Sequence, residues 1–97
     1  MRYQLVLQFE GDSLADHDQM VSLWDALIEV LGDTADFDGH HVGSSRTNIF
    51  IVPPDPPATF ARVKPVLETG HYLGALTAAY RPVNSQHYTV IWPEGRE

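Results

Sequence analysis

Between Tyr3 and Leu31 the hydrophobic repeat changes from two residues to three and four, and no other feature constrains the fold as tightly. Tyr3, Leu5, Leu7 and Phe9 alternate with Gln4, Val6 and Gln8, the period of a half-buried strand. Gly11 and Asp12 end it. Ser13 supplies an N-cap oxygen with Asp16 three residues on, close to a capping box. From Leu14 to Leu31 the period is helical. His17, Met20, Val21, Trp24, Leu27, Ile28 and Leu31 form the expected apolar face, and Gly32 the expected C-cap.

The same punctuation continues along the chain. Asp36 to Val42 reads as a short strand, with Gly43-Ser44-Ser45-Arg46 as its turn. Asn48-Ile49-Phe50-Ile51-Val52 is apolar on both faces and is expected inside a sheet. Pro53-Pro54 stops it, and Asp55 caps a second helix with Pro56 or Pro57 in its first turn. Phe60, Val63 and Leu67 give that helix a buried stripe. Pro65 lacks the N–H that a helix interior needs, so a kink or a split is expected there. Gly70 ends the helix. Leu76 to Arg81 reads as a strand or, through its alanines, as a helical turn. Pro82-Val83-Asn84-Ser85 is a turn, and Tyr88 to Trp92 is the last strand. The order is approximately βαββαββ. Two helices covering one face of an antiparallel sheet, joined by right-handed crossovers, predict a single α+β domain over residues 1–97, a ferredoxin-like sandwich with a terminal hairpin.

The residues Asn48-Ile49-Phe50-Ile51, Asp55-Pro56, Phe60, Pro65, Ala79-Tyr80-Arg81 and Tyr88…Trp92-Pro93 together resemble the pattern of small bacterial ferredoxin-like domains of unknown function. The likeness covers about the last half of the chain and consists mostly of core and turn residues. It implies the fold and transfers no catalytic residue.

Composition narrows the function classes. The 97 residues are 43% hydrophobic, enough for one core without covalent staples. There is no cysteine, which excludes disulfides and thiolate metal sites. The apolar run at the N-terminus is too short and interrupted for a signal peptide, and no stretch approaches the roughly 20 apolar residues of a membrane span, so a cytoplasmic protein is expected. The net charge of −7, with six scattered basic residues, argues against nucleic acid and anionic membranes, because binding phosphate requires clustered Lys and Arg. The five histidines matter to this balance: protonating all of them would bring −7 to −2.

The charge is also unevenly placed. From Tyr3 to Ser45 there is no Lys or Arg, while nine of the thirteen acids lie in that stretch. Asp18, Ser22, Asp25 and Glu29, spaced four, three and four, fall on one helical stripe facing away from the core. The helix macrodipole favours Asp18 near the N-terminus. Asp25 and Glu29 gain nothing of that kind, and as a like-charged i,i+4 pair they cost about 0.2–0.5 kcal/mol. Distant Arg62 or Lys64 on the second helix could compensate. The stripe is therefore read as a solvated face able to dock a basic protein.

Asp36-Phe37-Asp38-Gly39-His40-His41 is the second candidate. In a regular strand Asp36, Asp38 and His40 project to one side and could hold Zn²⁺ or Mn²⁺, with His87 brought in by folding. Asp38-Gly39 is equally a turn signal, which would break that projection. His17 reads as a boundary histidine. Arg81 among Tyr80, Tyr88 and Trp92 reads either as a clamp for a carboxylate or as the partner of an acid from the N-terminal half. No nucleophile elbow, phosphate loop or His-Glu-x-x-His run is present. The expectation is a non-catalytic protein-binding module without a cofactor. The alternative is a small metal-dependent enzyme using Asp36, Asp38 and His40. A homodimer through a sheet edge is a third expectation.

Overall fold

The structure, a computed structural model, describes residues 2–10, 17–42, 46–70 and 72–92, the side chains of residues 17, 19, 40 and 42 excepted. The elements are β1 (Tyr3–Glu10), α1 (His17–Leu31), β2 (Asp36–Val42), β3 (Arg46–Val52), α2 (Pro56–Thr69), β4 (Leu76–Pro82) and β5 (Thr89–Trp92). Short 3₁₀ turns at Gly32–Thr34 and Leu73–Ala75 follow the two helices. The expected N-cap Ser13 and residues 43–45 of the expected turn lie outside the described residues, while Arg46, read as the end of that turn, is the first residue of β3.

All five strands form one antiparallel sheet in the order β2-β3-β1-β4-β5. β1 pairs with β3 on one side and β4 on the other. Because β3 lies between β1 and β2, the β1-α1-β2 connection joins two parallel strands across an antiparallel one. The β3-α2-β4 connection does the same across β1. Each such crossover needs a helix to span it, which is what α1 and α2 supply.

Every second residue of the central strands faces these helices. Leu5, Leu7 and Phe9 of β1, Ile49 and Ile51 of β3, and Leu76 and Ala78 of β4 are buried. They form one core with Met20, Leu23, Leu27 and Leu31 of α1 and Phe60, Val63 and Leu67 of α2. Each fully buried Leu, Ile or Phe contributes about 1.5–3 kcal/mol relative to exposure. Edge-to-face ring pairs close the margins: Trp24 with Phe37 at 5.0 Å, and Phe9 with Tyr72 at 5.8 Å.

The buried stripe of α1 differs from the periodic reading. Val21 and Ile28, expected in the core, are 42% and 40% exposed, while Leu23 is buried. Apolar residues occupy more of this helix than one sheet can cover, and packing selects the arc centred on Leu27. At the second helix, Asp55 is the N-cap, accepting from the Ala58 N–H at 3.3 Å, and prolines fill the first turn. Pro65 does not split α2, which runs unbroken from Pro56 to Thr69. Gly70 ends it, and a Cβ there would run into the Tyr72 ring. The segment from Leu76 is a strand, preceded rather than replaced by a helical turn.

Candidate functional site

The outer face of α1 carries the first candidate. Asp18, Ser22, Asp25 and Glu29 are all exposed, on the side of the helix away from Leu23, Leu27 and Leu31. At 100° per residue, Val21 and Ile28 border the same arc as Asp18 and Asp25. Helical periodicity alone places those two side chains in the core, so the apolar half of this surface shows only in the packing. The available signal was Leu23, whose inclusion turns the buried stripe away from Val21 and Ile28.

The cations of α2 are engaged with other groups. Arg62 donates from Nη2 to the Val30 carbonyl and from Nη1 to Thr34 Oγ1, both at 2.9 Å. It thereby satisfies a carbonyl at the end of α1 and sets positive charge at the negative end of the helix dipole. Lys64 Nζ sits 4.5 Å from the centroid of the Trp92 ring, on the far side of the sheet order from β2. Both stand apart from Asp25 and Glu29 in function: one caps a helix, the other covers an aromatic face.

The Asp36–His41 segment is β2, an edge strand with a bulge. Phe37 lies opposite Ile51 and Gly39 opposite Phe50, so Asp38 is the extra residue. Gly39 takes φ 111°, a conformation L side chains rarely adopt. The bulge changes the phase of the strand. Asp36 is level with Val52, whereas the backbone of His40 is level with the core residue Ile49. The regular projection assumed from sequence therefore does not hold across this segment. Asp36 and Asp38 are exposed, and Gln4 Nε2 donates to Asp38 Oδ2 at 3.5 Å. The side chain of His40 lies outside the described residues. His87 lies two residues before β5, which forms the opposite edge of the sheet, about 19 Å from β2 by strand spacing. Among the described residues no group of three or more His, Asp or Glu gathers where it could hold a metal ion.

Arg81 follows neither of its two sequence readings. Its Nη1 donates to the carbonyls of Ser85 at 2.8 Å, Val83 at 3.2 Å and Pro82 at 3.4 Å, and its Nε donates to the Tyr88 hydroxyl at 3.2 Å. The guanidinium thus organises the β4–β5 loop from inside. Trp92 is a packing residue: its indole N–H donates to the Leu73 carbonyl at 3.1 Å, and its ring lies 6.3 Å from that of Phe60.

The sheet face opposite the helices holds a recess of about 250 Å³ lined by Val6, Gln8, Asn48, Phe50, Thr77, Ala79 and Tyr88. Asn48 Oδ1 is buried there with no hydrogen-bond partner among the described residues. No chemistry-bearing pair converges in this recess, whose polar groups are amides and hydroxyls. Among the described residues, no helix is long and apolar enough to cross a membrane. Comparisons with protein-family models, curated proteins and solved structures find no match.

Proposed function

We propose that this chain is a non-catalytic protein-binding module whose working surface is the outer face of α1, and that its partner is a basic segment carrying apolar side chains of its own. The observation that carries this reading is the shared exposure of three carboxylates, Asp18, Asp25 and Glu29, with Val21 and Ile28 on one helical face. The carboxylates steer a cationic partner and select against acidic ones. Val21 and Ile28 supply the desolvated contact that holds it, since surface charge pairs alone contribute about 0–1 kcal/mol each. Ser22, between the acids, offers a hydroxyl to the rim. We also infer a ferredoxin-like arrangement for the domain, supported by the β2-β3-β1-β4 order with β5 as an addition at the edge.

The test uses a fluorescently labelled amphipathic peptide of lysine and leucine, with anisotropy read at several salt concentrations. Affinity falls as salt rises, and the paired reversal Asp25→Lys with Glu29→Lys weakens binding by at least about tenfold while thermal melting is preserved. Equal affinity for the reversed variant removes the proposal.

A further inference from the structure

Beyond the reading of α1, we propose that the uncovered face of the sheet is an interface between two copies of this chain, related by a two-fold axis running along β1. The uncovered face is built in rows, and the rows are self-complementary about that axis.

The middle row crosses the whole sheet as Gly39, Phe50, Val6, Ala79 and Val90. It is apolar from edge to edge. Val6 sits on the central strand, with the largest side chain, Phe50, one strand to one side and the small Ala79 one strand to the other. A two-fold along β1 exchanges the places of β3 and β4, so Phe50 of each copy comes down over Ala79 of its mate. That is where the recess lies, floored by Val6 and Ala79 and walled by Tyr88, itself 51% exposed. An axis across the strands would instead set Phe50 on Phe50 and Ala79 on Ala79, leaving a clash and a void.

The flanking rows obey the same axis. One contains His41, Asn48, Gln8 and Thr77, so Asn48 meets the mate's Thr77. Asn48 Oδ1 is buried without a donor among the described residues. Its terminal torsion is soft, and a turn of the amide presents the oxygen to the Thr77 hydroxyl. In the other row Asp36 lies level with Val52 at the β2 end, and Arg81 level with Gln4 at the β4 end. The exchange sets Val52 over the mate's Arg81 and brings Asp36, one strand further out over the mate's β5, alongside it, twice. Isologous contacts require this kind of reciprocal match. Five strands at about 4.8 Å by up to seven residues at about 3.3 Å give roughly 500 Å² of flat area per copy before side-chain relief, and about 1,000 Å² in total reaches the lower bound for a biological interface, as suits a reversible dimer.

The experiment is sedimentation velocity over a range from low micromolar to near millimolar, beside cross-linking of single-cysteine variants in this cysteine-free chain. The expected result is a reversible dimer of the 10.8 kDa chain, lost in Ala79→Arg with the circular dichroism spectrum retained. Gln8→Cys, on the axis, cross-links to itself through a short bis-thiol reagent. Thr77→Cys does not, but links to Asn48→Cys when the two are mixed. A monomer at every concentration overturns the proposal. So does a dimer that survives in a folded Ala79→Arg, the behaviour of edge-to-edge pairing. Should Ala79→Arg fail to fold, the cross-linking pattern decides alone: Thr77→Cys linking to itself, or Gln8→Cys failing to, contradicts the axis.

Discussion

The Arg62 guanidinium of α2 donates to the Val30 carbonyl near the end of α1 at 2.9 Å, so one helix supplies the C-terminal cap of the other. Its second donation, to Thr34 Oγ1, fixes the 3₁₀ turn that follows, where Thr34 itself donates to the Leu31 carbonyl. No basic residue occurs in the last turn of α1, so the cap has to come from elsewhere in the fold. Arg62→Ala is expected to lower stability by about 1 kcal/mol, an exposed charged hydrogen-bonding group being worth less than a buried one. Arg62→Lys should recover only part, because a single ammonium lacks the fork that reaches both acceptors. The midpoint of urea unfolding checks both; equal midpoints for all three proteins would remove this role.

Leu27 and Ile28 are neighbours in sequence and opposites in structure, at 0% and 40% exposure. Leu27→Ala is expected to cost about 3 kcal/mol through loss of core packing. Ile28→Ala should cost less than about 1 kcal/mol and instead weaken capture of the lysine–leucine peptide. Parallel urea unfolding and peptide binding separate the two. Similar stability losses would mean that the buried stripe of α1 had been misplaced.

Gly39 holds the β2 bulge at φ 111°, with open space where a Cβ would stand. Gly39→Ala should therefore cost about 1–2 kcal/mol through backbone strain alone, without any steric clash. Gly74 has similar open space and no positive φ, so Gly74→Ala serves as the control and should change little. Equal thermal shifts for the two variants would contradict the strain assignment.

Arg81→Met keeps most of the aliphatic stem and removes the donors to Pro82, Val83, Ser85 and Tyr88. The expected outcome is faster amide hydrogen exchange at residues 83–88, with protection at Leu5, Leu7 and Ile49 unchanged. Uniform loss of protection would show that Arg81 supports the whole domain rather than the loop.

Local chemistry made much of this fold legible. The alternation of Tyr3 to Phe9, the apolar run at Asn48–Val52, and the Asp55 cap followed by two prolines each specify an element through its own residues. Other features depended on distant contacts. Whether Val21 and Ile28 or Leu23 enters the core is a choice made by the sheet, since all are apolar at helical spacing. The Asp38 bulge is a relation between β2 and β3 and has no counterpart within β2 alone, although Asp38-Gly39 signalled a departure from regular structure. Arg81 offered a lone cation amid aromatics, and only the closed hairpin shows its carbonyl partners. The acidic stripe was legible as a stripe because helix periodicity is local, while its apolar border was not.

The most direct test of the α1 docking surface is a ¹⁵N amide NMR titration of the full chain with the lysine–leucine peptide, alongside a lysine-only peptide of equal charge. Localised shifts at Asp18, Val21, Ser22, Asp25, Ile28 and Glu29, larger and more salt-resistant for the leucine-bearing peptide, are the predicted result. Shifts of equal size at the other exposed acids among the described residues, Glu10, Asp33, Asp36, Asp38, Asp55 and Glu68, or no difference between the two peptides, would contradict it and leave only an acidic surface attracting cations.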